Sequence, residues 1–158
     1  MRAALRGERD AAVPCNGCTA CCRSAQFVAI EPDETETLAR IPAELLFPAP
    51  LRPPGHVVMG YDARGHCPML VDDRCSIYEH RPRTCRMYDC RVFAATGIDP
   101  EKPEVAKRVR EWMFTYASES DEADHDALRD GAARLSGAPT ERAVHAISPE
   151  YGARPCPS

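Results

Sequence analysis

Residues 15–22 read CNGCTACC, so Cys15, Cys18, Cys21 and Cys22 put four thiols into eight positions, the last two adjacent. A thiolate is a soft ligand, and a C-x2-C step is the spacing at which a tight turn aims two sulfurs at one ion. Two such steps follow one another here, 15/18 and 18/21. Neighbouring side chains diverge, so Cys21 and Cys22 serve different centres, or one of them is unliganded. A second set, Cys67, Cys75, Cys85 and Cys90, comes later with gaps of seven, nine and four residues. Zinc and iron–sulfur clusters both take four thiolates per centre. Eight thiols therefore suit two four-cysteine sites, or one cluster with spares. Neither segment alone offers a clean four-cysteine site, so the expected arrangement is interleaved, with each centre drawing ligands from both.

Disulfides are the competing use of cysteine. Nine cysteines in 158 residues fall short of the density of a disulfide scaffold. Adjacent Cys21 and Cys22 could bridge each other only through strained geometry. Four thiolates on a dication, or on a cubane cluster, leave a net negative charge that needs donors around it. Arg74, Arg81, Arg83, Arg86 and Arg91 crowd the second set, and Arg81 and Arg86 fit best beside the ligands. His66 and His80 are alternative ligands, whereas His56, His125 and His145 are expected at the surface without partners. Tyr78 and Tyr88 fit either beside the site or in the core.

Composition bounds the rest. A hydrophobic content of 44% and a charged content of 28% are globular values, and 158 residues make one ordinary domain. No apolar run reaches the ~18 residues of a membrane span, and the charge-interrupted start MRAALRGERDAAVP lacks an apolar signal core. A cytoplasmic protein is expected, with thiols kept reduced and free to ligate. The formal charge of -4 argues against a nucleic-acid partner. Residues 74–110 carry nine basic and five acidic groups, but stacking aromatics are not evident.

The elements that must position these thiols are short. A strand is expected at Gln26–Ile30, then a helix through DETETLARI with acidic residues in its first turn. The proline-rich stretch 41–55 reads as a loop or rim. HVVMGYDARGHCPMLV reads as two strands joined by the turn DARG, giving a hairpin across 57–71. CSIYEHRPRTCRMYDC reads as short helical turns broken by Pro82. Beyond it, Val105, Val109, Trp112, Met113 and Tyr116 recur at helical spacing after Pro103. Further helices are expected in DEADHDALRDGAARL and TERAVHAI. The sequence thus predicts an α+β fold: a loop-dominated, cysteine-rich metal core over 15–90 with a short β-hairpin, and a C-terminal helical cap over 104–147. Residues 1–12 and 148–158 read as flexible tails, with Cys156 a spare thiol.

CNGCTACCR followed by CPMLVDDRCSIYEHRPRTCRMYDC resembles the C-x2-C-x2-C-C cysteine-cluster family, also called the YkgJ family, over roughly Cys15 to Cys90. The C-P, C-x-I-Y, R-P and C-R-x-[FY]-x-C elements match Cys67-Pro68, Cys75–Tyr78, Arg81-Pro82 and Cys85–Cys90. The resemblance implies chelation of zinc or iron, with all eight cysteines as candidate ligands, and assigns no activity. Residues 104–158 lie outside it. No Ser–His–Asp, P-loop or glycine-rich cofactor signature is present, so no catalytic residue is expected. The expected function is chelation of zinc or iron, an iron–sulfur cluster included. An iron–sulfur redox or enzyme-accessory protein is the alternative, although Ala25 stands where a bacterial ferredoxin pattern wants its fourth cysteine. A metal chaperone or a zinc-dependent nucleic-acid binder fits less well. A protein partner would be recruited by the helical cap.

Overall fold

The computed structural model describes Cys15 and residues 17–148. Cys156 and most of both tails lie outside these. The chain divides into two compact units that meet in sequence between Tyr88 and Asp89. The fold is α+β, with small antiparallel sheets in the first unit and helices dominating the second.

The first unit is built on three short strands: β1 (Val28–Ile30), β2 (Leu46–Pro48) and β3 (Val57–Met59). They form an antiparallel sheet in the order β1-β3-β2. Val28 pairs with Met59 and Ile30 with Val57, while Leu46 and Pro48 face the same two β3 residues from the other side. Alternation along β1 sends Val28 and Ile30 inward. They join Ile41, Met59, Met69 and Ile77 in a buried cluster, with Cys67, Cys75 and Cys85 packed against it half-buried.

Pairing corrects the hairpin expected across 57–71. β3 pairs with β1 and β2, because its neighbours in the core are Val28 and Ile30. The hairpin that does form is β4 (Leu70–Val71) with β5 (Arg74–Cys75), joined through Asp72 and Asp73. Both aspartates have positive φ, 46° and 58°, the backbone of a two-residue turn whose twist matches its strands. Aspartate tolerates that conformation better than most residues. The proline-rich 41–55 is likewise more than a loop: it holds a 3-10 turn at Ala43–Leu45 and then β2.

Helix α1 (Thr35–Leu38) is short and buries Thr37, whose hydroxyl donates to the His80 carbonyl at 2.8 Å. Pro82 separates a 3-10 turn at Tyr78–His80 from α2 (Arg83–Met87), as the sequence implies.

In the second unit, α3 (Arg91–Thr96) buries Val92, Phe93, Ala95 and Thr96. It is the element against which α4 (Pro103–Val109), α5 (Glu119–Ala133) and α6 (Pro139–Ile147) all pack. Proline starts both α4 and α6, and the Ser118 hydroxyl caps α5 by accepting from the Asp121 amide at 3.2 Å. The expected helix through Tyr116 stops at Val109. Of the aromatic residues beyond it, Trp112 packs back on α4 itself, while Phe114 and Tyr116 reach α5. Trp112 lies under the Arg108 guanidinium, 4.8 Å from the ring centroid. Phe114 and Tyr116 pack on His125 of α5, with centroids 4.7 and 5.6 Å apart. His125 is therefore no free surface residue: Nδ1 meets the Tyr116 hydroxyl at 2.6 Å, and Nε2 lies 2.8 Å from the Ala95 carbonyl. His56 is also partnered, with Nε2 2.8 Å from the Glu31 carboxylate.

Candidate metal centre

The N-terminal thiols are set by turns. The Cys18 amide donates to the Cys15 carbonyl at 2.8 Å, which closes the first C-x2-C step into a tight turn. Cys21–Arg23 continues as a 3-10 turn, with the Ser24 amide returning to the Cys21 carbonyl at 3.2 Å.

Three devices bring this segment to the second cysteine set. The Cys67 amide donates to the Cys22 carbonyl, and the Ala25 amide donates to the Gly65 carbonyl, both at 2.7 Å. The Arg23 guanidinium pairs with Asp73 in the β4–β5 turn. The backbone approach requires glycine at position 65: its φ is +79°, and a Cβ there would lie 3.0 Å from the Ala25 Cβ. Asp62 shapes the same loop by accepting from the amides of Arg64 (2.9 Å) and His66 (2.8 Å). The His66 amide bond is the main cause holding the Asp62 carboxyl below its ordinary range. DARG is thus a loop that delivers Cys67 against Cys22, and not the turn of a hairpin.

Cys75 ends β5, and Cys85 sits in the middle of α2. Helix α2 is tied down by buried Glu34, whose carboxylate accepts from the amides of Arg83 (2.5 Å) and Glu31 (2.8 Å). The Arg83 guanidinium reaches Asp33 at 3.0 Å, and the Thr84 hydroxyl donates to the Ala29 carbonyl at 2.7 Å. A carboxylate at a helix N-terminus satisfies an orphan amide and complements the dipole.

The thiols respond to one another electrostatically. Burial, then Cys67, Cys75, Cys15 and Cys18, push the Cys22 thiol from 9.0 up to about 12. Burial, then Cys22, Cys67 and Cys75, push Cys85 up to about 12, with the Arg81 charge pulling the other way. Burial also raises Cys67, while the amides of Met69 and Leu70 favour its thiolate. Six thiols from residues 15–85 therefore share one electrostatic neighbourhood. Coordination is a stricter condition: among the described residues, no three His, Cys, Asp or Glu side chains are gathered closely enough to hold an ion. Charge acts over longer distances than a metal–sulfur bond, so the two observations agree. The donor set fits a thiophilic cation, since clustered half-buried thiols repel each other as thiolates and a cation would reverse that penalty.

The remaining expected residues are placed as follows. Cys21 opens the 3-10 turn, and its carbonyl accepts from the Gln26 side chain at 3.2 Å. Cys90 belongs to the second unit, directly before α3, where it acts on Arg91. Arg81 is buried over the Tyr78 ring, 4.0 Å from its centroid, and donates to the Tyr78 carbonyl at 2.9 Å. Arg86 lies on α2 beside Cys85, with its Nε buried and no hydrogen-bond partner among the described residues. His66 and His80 make their hydrogen bonds through the backbone. Arg23, Glu34 and Asp62 escaped the sequence reading. Arg23, directly after the paired cysteines, and Asp62, which opens DARG and bonds amides two and four residues on, carried local signals; Glu34 did not.

Among the described residues, no helix is long and apolar enough to cross a membrane. No curated protein and no solved structure matches the chain. One family model does, over residues 14–112, and so runs past Cys90 through α3 and α4 into residues that the motif reading left outside. With most of its length in that match, the chain belongs to the CxxCxxCC family, whose description is "Putative zinc- or iron-chelating domain".

Proposed function

We propose that this chain holds zinc or iron through cysteine thiolates of its first unit, with Cys15, Cys18, Cys22, Cys67, Cys75 and Cys85 as the ligand pool. The observation that carries this reading is the Cys67 amide bonded to the Cys22 carbonyl at 2.7 Å. It joins two cysteine segments that neither core packing nor strand pairing brings together. A bound cation would supply charge neutralisation and a cross-link between distant segments. The chain's own part is to gather the thiols and stabilise their charged form. Arg81 and the amides of Met69 and Leu70 already favour thiolate at Cys85 and Cys67. The role is structural, with the metal standing in for core in a unit whose strands are two or three residues long.

Anaerobic purification followed by elemental analysis and a visible spectrum tests the reading. Stoichiometric zinc without colour supports the structural ion, and a brown protein with iron and sulfide supports the cluster. A protein that takes up neither metal under reducing conditions would overturn the proposal.

A further inference from the structure

The helical unit carries a feature that is independent of the thiols. A cleft of about 570 Å³ opens where α3 ends and α5 and α6 pass, lined by Gly97, Ile98, Asp126, Arg129, Asp130 and Arg142 among others. That volume suits a small molecule. Gly97 has φ +67°, and a Cβ on it would lie 3.0 Å from the Arg129 Nε and 3.4 Å from its Nη2. The guanidinium thus lies against bare backbone at the cleft wall. Arg129, Asp126 and Asp130 make no hydrogen bond or ion pair to any described residue, although the three share about one turn of α5. Arg142 makes one long bond, from Nη2 to the Ala132 carbonyl at 3.5 Å, and its Nε is buried without a partner.

Four charged side chains thus line one preformed cleft with their charges unused, two cationic and two anionic. Asp126, Arg129 and Asp130 are exposed, so their charged groups are open to a ligand. Guanidinium forks match carboxylates in two-bonded geometry. A dianion such as phosphate would meet Asp126 and Asp130 as repulsion, and a bare cation would meet the two arginines. A ligand carrying both an ammonium and a carboxylate satisfies all four. We propose that this cleft binds a zwitterionic small molecule of the α-amino acid class, its carboxylate on Arg129 and Arg142 and its ammonium on Asp126 and Asp130. The apolar wall of Ile98 and Ala133 leaves room for a modest side chain.

Isothermal titration of the full chain against the standard α-amino acids tests this. Each binder is compared with its amine lacking the carboxylate and its acid lacking the ammonium, and inorganic phosphate serves as the anion control. The expected result is saturable binding of at least one amino acid, with both truncated analogues weaker by about tenfold or more. Arg129→Gln and the pair Asp126→Asn with Asp130→Asn should each cost about tenfold. Thermal midpoints should hold, because these exposed side chains bond nothing in the described fold. No amino acid binding in the millimolar range, phosphate binding as tightly as any amino acid, or an Arg129→Gln protein with unaltered affinity would each overturn the proposal.

Discussion

Replacing Gly65 by Ala should strike the junction between the two cysteine segments. Two costs can be separated. An L-residue at φ +79° pays roughly 1–2 kcal/mol for the left-handed backbone. The added Cβ, at 3.0 Å from the Ala25 Cβ, must also push the strands of chain apart. Two backbone bonds of 2.7 Å, Ala25 to Gly65 and Cys67 to Cys22, lie in the path of that movement. At about 0.5–1.5 kcal/mol net each, they bring the total to roughly 2–5 kcal/mol. Gly17→Ala is the control, because Gly17 has the same φ of +79° but nothing within 4 Å of where a Cβ would lie, and it should pay the backbone cost alone. Urea denaturation of the metal-loaded proteins measures both, and elemental analysis should show metal loss only for Gly65→Ala. Adding Ala25→Gly to Gly65→Ala removes the opposing Cβ and should recover about 1–3 kcal/mol. Equal losses at positions 17 and 65, or a double variant whose effects simply add, would refute the contact reasoning.

Three further outcomes are expected. Glu34→Ala strands the Arg83 and Glu31 amides and frees the helix that carries Cys85, costing about 2–4 kcal/mol in urea melts and lowering metal content. In the metal-free protein, Cys22 and Cys85 keep their protons to about 12 whereas the unfolded chain loses its own from 9.0. Stability should therefore fall as pH rises from 9 toward 12, by at most roughly 1.4 kcal/mol per pH unit per thiol; a metal-loaded sample that shows the same alkaline slope would argue against thiolate ligation. Cys75→Ser and Cys85→Ser should lower the metal equivalents found by elemental analysis, while Cys156→Ser leaves them unchanged.

The sequence was most legible where a local rule dominates. Pro103 marks a helix start and Pro82 a break between helical turns, and the structure keeps both. The strand ending at Ile30 and the acidic first turn of the helix in DETETLARI are equally local. What could not be read depends on distant partners. β3 chooses β1 and β2 because the core residues Ile30 and Met59 must share one face. Past Val109 the chain leaves the helix, and Phe114 and Tyr116 pack on His125 of α5, a partner no local rule names. At the candidate centre, the thiol motifs were plain. Two of the residues that steer them, Arg23 and Glu34, are ordinary charged residues whose partners lie 50 and 49 positions away.

The proline-rich stretch and the α2 tether have a colloidal consequence. A three-stranded sheet leaves two open rims, each a template on which a second molecule could add a strand. On one rim, Pro48 ends β2 without an amide to offer, and Pro50, Pro53 and Pro54 forbid the strand from growing. On the other, the Thr84 hydroxyl occupies the Ala29 carbonyl and α2 packs along β1. Self-association by sheet extension is thereby closed off at both rims, even with Phe47 standing exposed on β2. Thr84→Val would reopen one rim without touching a thiol, and its signature would be slow, concentration-dependent light scattering in a protein whose metal content is normal.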